Sequence, residues 1–367
     1  MNIQKIDLIE EDYNNLTDSS AKIFNSTMLN IFSERSKKVS CSNLINNYQK
    51  KSNIYQPSKI DPRIYNEISN IFFDSVDKDF ECIELSPINP FGLNSSLTFT
   101  NQNNVLSCIR NSEVISDSSL AMALECAYRI KTSKENNINL ASSTRLLRMQ
   151  NYSSGKKSHW SQHFRACSLV SSFRNENINM FSTLKLQIYN WLNAINNLKD
   201  NLDIKAINVN LCYLPLIGEI YKLHNVELQS VLKNTVNPDY DIFTQYQIEL
   251  PYAISFNDNI ENLEVTRDYL LTIQKIFDIF KKNVITPLTE KYNDIEFNLQ
   301  LNRKSGLTYY DSICYDIEVV FKNGQKLVLV DGGVTDWIGK ILSDSKEKCV
   351  TSGMGLEYLG RVYKRKI

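Results

Sequence analysis

A predicted β-hairpin over residues 140–170 carries side chains that could bind a nucleotide. Arg148 stands on its first strand, His159 lies in its basic loop and Phe164 lies on its return strand. A guanidinium matches a phosphate bidentately, and a flat aromatic ring can stack on a base. Taken singly, Arg148 and Phe164 would be a surface cation and a core aromatic. Placed together on one rigid hairpin, they favour the nucleotide-binding interpretation.

The segments that must position this hairpin are helices and strands with distinct apolar spacing. The predicted helices cover 60–76, 119–130, 184–198, 263–282, 337–342 and the residues after Gly355. The other predicted strands cover 80–85, 206–213, 295–301 and a second hairpin over 309–330 that turns at Asn323-Gly324. Because most strands follow one another, we expect a mixed α+β fold with about six antiparallel strands flanked by helices.

The polarity of the chain divides it into an N-terminal segment and a larger core. Residues 1–58 are polar, with weakly amphipathic stretches over 18–34 and 41–50. We expect a helical N-terminal extension there. Residues 59–367 form the core domain. Within that domain, residues 214–262 show no clear period, and we expect a helical or irregular insertion.

Composition and charge exclude broad classes of function. The 367 residues contain 41 Lys+Arg and 41 Asp+Glu, so a formal net charge of +0 gives no electrostatic reason to wrap nucleic acid or bind an anionic membrane. No run approaches the ~18 apolar residues of a membrane span. The N-terminus lacks a secretory signal, so we expect a cytoplasmic protein. The 8 cysteines are scattered singly, without the spacing of a zinc site, and we predict no metal site.

Six segments resemble, in order, the signature motifs of one enzyme family. The segments are FECIELSP (80–87) after the helix at 60–76, VISDSSLA (114–121), TRLLRMQ (144–150) with QHFRACSLV (162–170), SGLTYYDSICYDIEV (305–319), VDGGVTDWI (330–338) and SGMGLEYL (352–359). From about residue 60 onward, the chain is similar to the catalytic domain of the class II aminoacyl-tRNA synthetases. The resemblance is greatest for the histidyl-tRNA synthetase branch.

The resemblance implies a nucleotide site on the hairpin. Arg148 would hold the α-phosphate of ATP, and Phe164 would stack on adenine. Gln150 stands where the family usually has Glu, and Glu357 belongs to the third motif. The candidate nucleotide-binding residues are Arg148, Gln150, His159, Phe164, Glu357 and Arg361. ATP and Mg²⁺ are the cofactors that the resemblance implies for an active enzyme.

The resemblance also implies a site for a small amino acid. Asp117 and Ser119 stand in the strip that contacts the substrate ammonium, and Tyr309 and Tyr310 stand where a double tyrosine lines the side-chain pocket. The residue types allow other interpretations, because Asp117 also suits a helix N-cap and paired tyrosines in a strand can simply pack a sheet. Val170 replaces the acidic residue that helps to hold the ammonium of histidine, so histidine is only the family's default ligand.

The sequence departs from the family at positions that face phosphates. Tyr358 replaces the arginine of the third motif, and Ser305 replaces an arginine that assists activation in histidyl synthetases. Neither can substitute for a delocalised cation, and one charge-assisted hydrogen bond is worth ~1.5–3 kcal/mol. Arg361 shares a helix face with Tyr358 and could compensate, or it is a solvated C-terminal cation. Arg303 and Lys304 also lie just before Ser305.

Two functions from different classes fit these observations. The chain ends within a dozen residues of the third motif, so we expect no anticodon-binding domain and no tRNA binding. One function is a paralogue that binds an amino acid as a sensor or regulatory subunit, as the regulatory subunit of ATP phosphoribosyltransferase does beside a catalytic partner protein. The other is an ATP-dependent ligase that activates an amino acid as an adenylate. The loss of the arginines favours the sensor or regulatory subunit, and the hairpin favours the ligase. We prefer the sensor or regulatory subunit. The first motif implies a homodimer in both cases.

Overall fold

The computed structural model describes residues 10–150, 162–174, 177–235, 237, 239–260 and 267–365. Most of the strands among these residues belong to one central sheet. The strands are β1 (Glu81–Cys82), β2 (Ile88–Pro90), β3 (Ser107–Cys108), β4 (Ser112–Val114), β5 (Asn139–Leu147), β6 (His163–Arg174), β7 (Ile204–Tyr213), β8 (Ala253–Ser255), β9 (Glu296–Gln300), β10 (Ile313–Phe321), β11 (Lys326–Thr335) and β12 (Glu347–Gly355).

Helices precede, cover and connect these strands. They are α1 (Glu10–Thr17), α2 (Ala21–Lys37), α3 (Cys41–Lys50), α4 (Ser52–Tyr55), α5 (Pro62–Ser75), α6 (Leu93–Leu97), α7 (Ser118–Ser133), α8 (Asn177–Leu198), α9 (Leu214–Leu223), α10 (Leu228–Lys233), α11 (Ile242–Gln245), α12 (Arg267–Phe280), α13 (Thr286–Thr289), α14 (Trp337–Leu342) and α15 (Leu356–Val362). A π-helical segment, Lys281–Ile285, joins α12 to α13. Within the described ranges, no helix is both long enough and apolar enough to cross a bilayer.

The central sheet has nine strands in the order β1-β5-β6-β12-β11-β10-β7-β9-β8. The six strands from β5 to β7 in that order pair antiparallel, which confirms the antiparallel block predicted from the sequence. The sheet is larger than the expected six or so strands because short strands extend both of its edges. β1 adds in parallel to β5, and β9 adds in parallel to β7 with β8 beyond it. A separate small sheet has the order β2-β4-β3.

The two faces of the central sheet differ in character. Alternate residues of a strand point to opposite faces. Tyr315 and Ile317 of β10 join a large apolar core with α5 and α8, whereas Asp316 between them points the other way. On this second face, α7 and α14 pack over β5, β6 and β12 around Trp337 and Val170. One face is therefore closed by a hydrophobic core, and the other leaves polar groups available to a site.

Most predicted elements are present with shifted ends. The helices predicted at 60–76, 119–130 and 337–342 appear as α5, α7 and α14, and the hairpin predicted over 140–170 appears as β5 and β6. Gly324, at φ 83°, makes the tight turn between β10 and β11. Local apolar spacing and turn residues were sufficient to locate these elements, because each of them is encoded within a short stretch of sequence.

Other expectations need correction. The strand predicted at 80–85 is limited to the two residues of β1, because the chain then crosses to the small sheet. The segment 214–262 contains helices, and it also contains β8, which forms an edge of the central sheet. The sequence did not indicate β12, which lies in the middle of the sheet, because Lys348, Ser352 and Gly353 interrupt any apolar alternation.

The N-terminal helices lie outside this core. α2 begins after Ser20, whose hydroxyl accepts a hydrogen bond from the backbone N–H of Ile23 at 3.4 Å. No residue of α2 or α3 is buried. A hydrogen bond from the backbone N–H of Arg110 to the side chain of Asn25, at 3.2 Å, links α2 to the small sheet. These helices therefore add little to the hydrophobic core that positions the site.

The close approach of α14 to β12 depends on Gly339. A Cβ at this position would lie 2.6 Å from the carbonyl oxygen of Glu347, the first residue of β12, and 2.9 Å from that of Asp344. We expect Gly339→Ala to lower the free energy of unfolding by ~1–3 kcal/mol, because backbone atoms must move to admit the methyl group. Urea denaturation measures this difference.

Gly218→Ala in α9 is the matched control for that substitution. No atom lies within 4 Å of the Cβ that it would add. Alanine in a helix interior should therefore raise the free energy of unfolding, by ~0.5–1 kcal/mol. If both variants unfold at the same urea concentration, α14 does not pack against β12 as closely as described here.

Candidate functional site

The start of α7 brings an acidic group, a phenol and a guanidinium together. Asp117 is the N-cap residue, and its Oδ1 accepts a hydrogen bond from the backbone N–H of Ser119 at 2.9 Å. Its Oδ2 accepts a hydrogen bond from the Tyr309 hydroxyl at 3.0 Å and lies 3.7 Å from Nη2 of Arg148. The structure thus places four of the predicted site residues in one cluster, although they come from distant parts of the chain.

Arg148 links this cluster to the hairpin. It directly follows β5, and its Nε donates to the carbonyl oxygen of Ser116 at 3.0 Å. Its guanidinium carbon lies 5.1 Å from the centroid of the Phe164 ring at the start of β6, a cation–π arrangement. About one third of the Arg148 side chain is exposed. Arg148 and Phe164, which were both predicted to bind a nucleotide, are therefore adjacent, and the guanidinium remains accessible to an anionic group.

Tyr309 and Tyr310 lie in the turn that precedes β10, not in a strand as the packing interpretation assumed. Tyr309 packs edge-on against Tyr310 and against Trp337, with 4.9 Å between ring centroids in both pairs. Burial raises the pKa of both phenols well above its usual value. Both hydroxyls therefore stay protonated and can donate hydrogen bonds. The rings form an apolar wall next to Asp117.

Two glycines fix the position of the Tyr310 ring. Gly306 has φ +71°, a left-handed conformation that side chains rarely adopt, and a Cβ there would lie 2.8 Å from the ring. A Cβ on Gly333 of β11 would lie 2.7 Å from the same ring. The ring therefore rests directly on two stretches of backbone. A side chain at either position would displace it.

A buried ion cluster supports this turn from below. Arg303 is 2% exposed; its Nη2 donates to Asp331 at 2.6 Å and its Nη1 donates to Asp316 at 3.3 Å. Its Nε donates to the carbonyl oxygen of Ser305 at 2.9 Å, which ties the turn to the sheet. From the sequence, Arg303 was only a cation close to Ser305. Its pairing was missed because the two carboxylates lie 13 and 28 residues further along the chain.

A row of mostly polar residues crosses the sheet beneath the cluster. Successive cross-strand neighbours in this row are Asn298, Asn210, Asp316, Asp331, Gly353, Ser168 and Ser142. Asn210 donates to Asp316 at 2.7 Å, and the hydroxyls of Ser168 and Ser118 lie 2.5 Å apart. Burial raises the pKa of Asp316 to about 6, although Arg303 opposes the shift. The row connects the start of α7 to the Arg303 cluster.

Glu357, a further candidate for nucleotide binding, lies apart from this cluster. Glu357 accepts hydrogen bonds from the Tyr65 hydroxyl at 2.7 Å and from a backbone N–H of β6 at 2.9 Å, so its carboxylate faces α5 on the other side of the sheet. Burial also raises its pKa. Gln150 follows β5, and its carbonyl oxygen accepts a side-chain hydrogen bond at 3.2 Å. Arg361 lies exposed on α15, and His159 lies outside the described residues.

Over the ranges that the structure describes, no three His, Cys, Asp or Glu side chains are grouped so that they could hold a metal ion. For ATP, the residues that fit are Arg148, which offers an accessible guanidinium, and Phe164, which offers a ring. Glu357 does not fit a role in holding Mg²⁺ here, because its carboxylate is bound on the opposite face.

The antiparallel block, the hairpin and the placement of α7 over one sheet face define a class II aminoacyl-tRNA synthetase-like fold. A histidyl-tRNA synthetase from Nostoc sp. aligns with a TM-score of 0.58 and 13% identity over 85% of this chain and 74% of that chain. A histidine–tRNA ligase subunit from Alicyclobacillus acidocaldarius gives a TM-score of 0.56 and 10% identity over 82% of this chain and 93% of that chain. An ATP phosphoribosyltransferase regulatory subunit/histidyl-tRNA synthetase from Bacillus halodurans gives a TM-score of 0.52 and 13% identity over 83% of this chain and 80% of that chain.

At 10–13% sequence identity, these three structures show a shared fold only. No family model and no curated protein matches the sequence. The structural neighbours nevertheless include both proteins that the motifs suggested, the histidyl-tRNA synthetases and the regulatory subunit of ATP phosphoribosyltransferase. The resemblance inferred from the sequence is therefore confirmed at the level of three-dimensional structure.

Proposed function

We propose that this chain is a homodimeric, cytoplasmic paralogue with the histidyl-tRNA synthetase fold that binds a small amino acid as a sensor or regulatory subunit. The pair formed by Asp117 and Arg148 carries the proposal. A carboxylate and a guanidinium 3.7 Å apart offer complementary charges to the ammonium and carboxylate groups of one free amino acid. A carboxylate has about four lone-pair positions, so Asp117 can accept a ligand ammonium in addition to Ser119 and Tyr309.

The surroundings of Asp117 suit such a ligand. Its side chain is mostly buried, so its attraction to an ammonium is less screened than on an open surface. The rings of Tyr309, Tyr310 and Trp337 provide an apolar wall with a hydroxyl at its edge. This combination fits a polar or aromatic side chain better than a purely aliphatic one.

The charges of the site favour binding over adenylation. Activation of a carboxylate by ATP needs cations that stabilise the transferring phosphoryl group. Ser305 and Tyr358 supply none, and Arg303 is already bound by two carboxylates. A guanidinium that is 2% exposed and neutralised in this way offers little positive charge to a phosphate. This supports a sensor, which needs only the amino-acid part of the pocket.

A regulatory role would require a catalytic partner protein. The Bacillus halodurans neighbour is described as a regulatory subunit of ATP phosphoribosyltransferase, and its fold is shared by this chain. That likeness supports a similar division of labour, in which this chain binds the amino acid and a second protein carries out the reaction. We do not propose recognition of tRNA.

The alternative is an ATP-dependent ligase that activates an amino acid as an adenylate. The stacking of Arg148 over Phe164 supports it, because a guanidinium next to an aromatic ring suits both a phosphate and a base. ATP and Mg²⁺ would then be the cofactors. A sensor that never binds a nucleotide has no need of this arrangement.

Ligand binding is tested by calorimetric titration of the full chain with each standard amino acid, histidine first. We expect the wild type to bind at least one of them and Asp117→Asn to lose that binding, because the amide cannot neutralise an ammonium. Asparagine is also a good N-cap, so the melting temperature should be nearly unchanged. Asp117→Ala should lose binding and also ~1 kcal/mol of stability. Undiminished binding by Asp117→Asn would place the ammonium elsewhere.

Adenylation is tested by ATP–pyrophosphate exchange with the same amino acids. We expect exchange to be weak or absent, because two phosphate-facing arginines are replaced by Ser305 and Tyr358. Robust exchange with any amino acid would favour the ligase instead. In that case Arg148→Ala should reduce the rate by ~100-fold or more. Arg63→Ala, which removes an exposed arginine paired with Asp61, should leave the rate unchanged.

The dimer is tested by sedimentation at micromolar concentration. The small sheet and the residues beside its strands expose Ile88, Phe91 and Leu106, which a two-fold interface would bury. We expect twice the chain mass of 42.4 kDa for the wild type. Phe91→Glu should shift the protein toward the monomer, because a buried unpaired charge opposes association. Leu223→Glu, at an equally exposed apolar residue of α9, should not. A monomeric wild type would contradict this part of the proposal.

A further inference from the structure

The middle of the polar row is open above Gly353. This glycine lies on β12 between Asp331 of β11 and Ser168 of β6, and it is partly exposed although strands flank it on both sides. A Cβ there would meet only Ser168 Oγ at 3.4 Å and the carbonyl oxygen of Cys167 at 3.6 Å. Space therefore remains over the sheet between Asp331 and Ser168. With ~4.8 Å between strands, this gap measures about 10 Å between Cα atoms.

A carboxylate lies at each end of this gap. At one end, Ser168 contacts Ser118, so the end of the gap is close to the Asp117 cap of α7. At the other end lies Asp331. Burial is the main cause of the raised pKa of Tyr309, and the carboxylates of Asp117 and Asp331 both add to it. Both carboxylates therefore lie within electrostatic range of the Tyr309 hydroxyl.

The Arg303 cluster has one negative charge too many. One guanidinium serves two carboxylates, those of Asp316 and Asp331. Asp316 is 8% exposed, whereas Asp331 is 43% exposed, so Asp331 is the member of the cluster that reaches the open gap. Because Asp331 is open to the gap and shares the Arg303 guanidinium with Asp316, a cationic group placed in the gap would give it a charge partner of its own.

We infer that Asp331 determines the specificity of the amino-acid site and that the ligand carries a second cationic group, as lysine, ornithine and arginine do. This inference rests on the proposed function. The α-ammonium would bind at Asp117, and the side-chain cation would bind at Asp331 across the open floor at Gly353. An unbranched basic side chain can extend over this distance. A neutral side chain of the same length would leave the surplus charge unpaired.

Calorimetric titration of the full chain can test this inference with named probes. L-lysine, L-ornithine and L-arginine are compared with L-norleucine and L-glutamine as neutral analogues, and L-histidine is measured separately. We expect the basic amino acids to bind at least ~10-fold more tightly than the neutral ones. Asp331→Asn, which keeps the shape of the side chain, should reduce this ratio to about 1, as expected for loss of one charge pair.

Two further variants control the experiment. Asp294→Asn removes an exposed carboxylate that pairs with Lys199, and it should leave the ratio unchanged. Gly353→Val places its Cβ where only ordinary contacts are met, and its two methyl groups would occupy the gap. It should lose all amino-acid binding, with thermal melts of this variant as the folding control. Undiminished binding by this variant would overturn the placement of the ligand.

The outcomes separate the inference from the proposed function. If the wild type binds neutral and basic amino acids equally, Asp331 does not determine specificity, but the proposed function stands. If histidine binds most tightly and Asp331→Asn leaves its affinity unchanged, the inference is also wrong. If the wild type binds no amino acid, the inference and the proposed function both fail.

Discussion

The guanidinium of Arg303 joins parts of the chain that are distant in sequence. It binds Asp316 in β10 and Asp331 in β11, and its Nε holds the carbonyl oxygen of Ser305. Leaving a buried charge without its partner costs ~3–5 kcal/mol, so the segment that follows Arg303 is held firmly against the sheet. Tyr309 and Tyr310 come directly after that segment. Their position, and the hydrogen bond from Tyr309 to the cap of α7, depend on this one ion cluster.

The same interaction determines what chemistry the site can support. A phosphate-binding arginine must be free to turn toward its ligand, whereas Arg303 is used to hold the backbone and to neutralise carboxylates. What remains is the carboxylate of Asp117 beside the more accessible guanidinium of Arg148. A free amino acid carries an ammonium and a carboxylate, and this pair offers a group of opposite charge to each of them. This charge pattern supports the proposed binding of an amino acid.

The sequence was informative wherever structure is encoded locally. The Asp117 cap and the turn at Gly324 depend on residues within a few positions of one another. The hairpin that carries Arg148 and Phe164 pairs two strands that are neighbours in the sequence. β12 was not found, because a central strand that contains Gly353 and several polar residues has no apolar alternation. No local pattern could have indicated its place between β6 and β11, which is set by pairing with strands far away in the sequence.

The sequence grouped some candidate site residues that lie together in the fold, whereas the orientation of others depends on distant contacts. One cluster contains Asp117, Ser119 and Tyr309, which the motifs assigned to the amino-acid site. It also contains Arg148, which the motifs assigned to the nucleotide site. Glu357 was grouped with Arg148 by its motif, yet its carboxylate points to α5 on the opposite face. Helix α15 could present that residue to either side of the sheet, and its orientation is decided by the Tyr65 hydroxyl. Only the packed structure contains that information.

The polarity of the site face is not explained by stability. A buried ion cluster contributes little net stability, and apolar residues of similar volume are often equally stabilising. The opposite face shows that this chain can close a sheet with an apolar core around Trp191 and Ile317. A fold that needed only stability could have done the same on both faces. The row from Asn298 to Ser142, with an open glycine at its centre, is what we expect of the binding pocket that we propose.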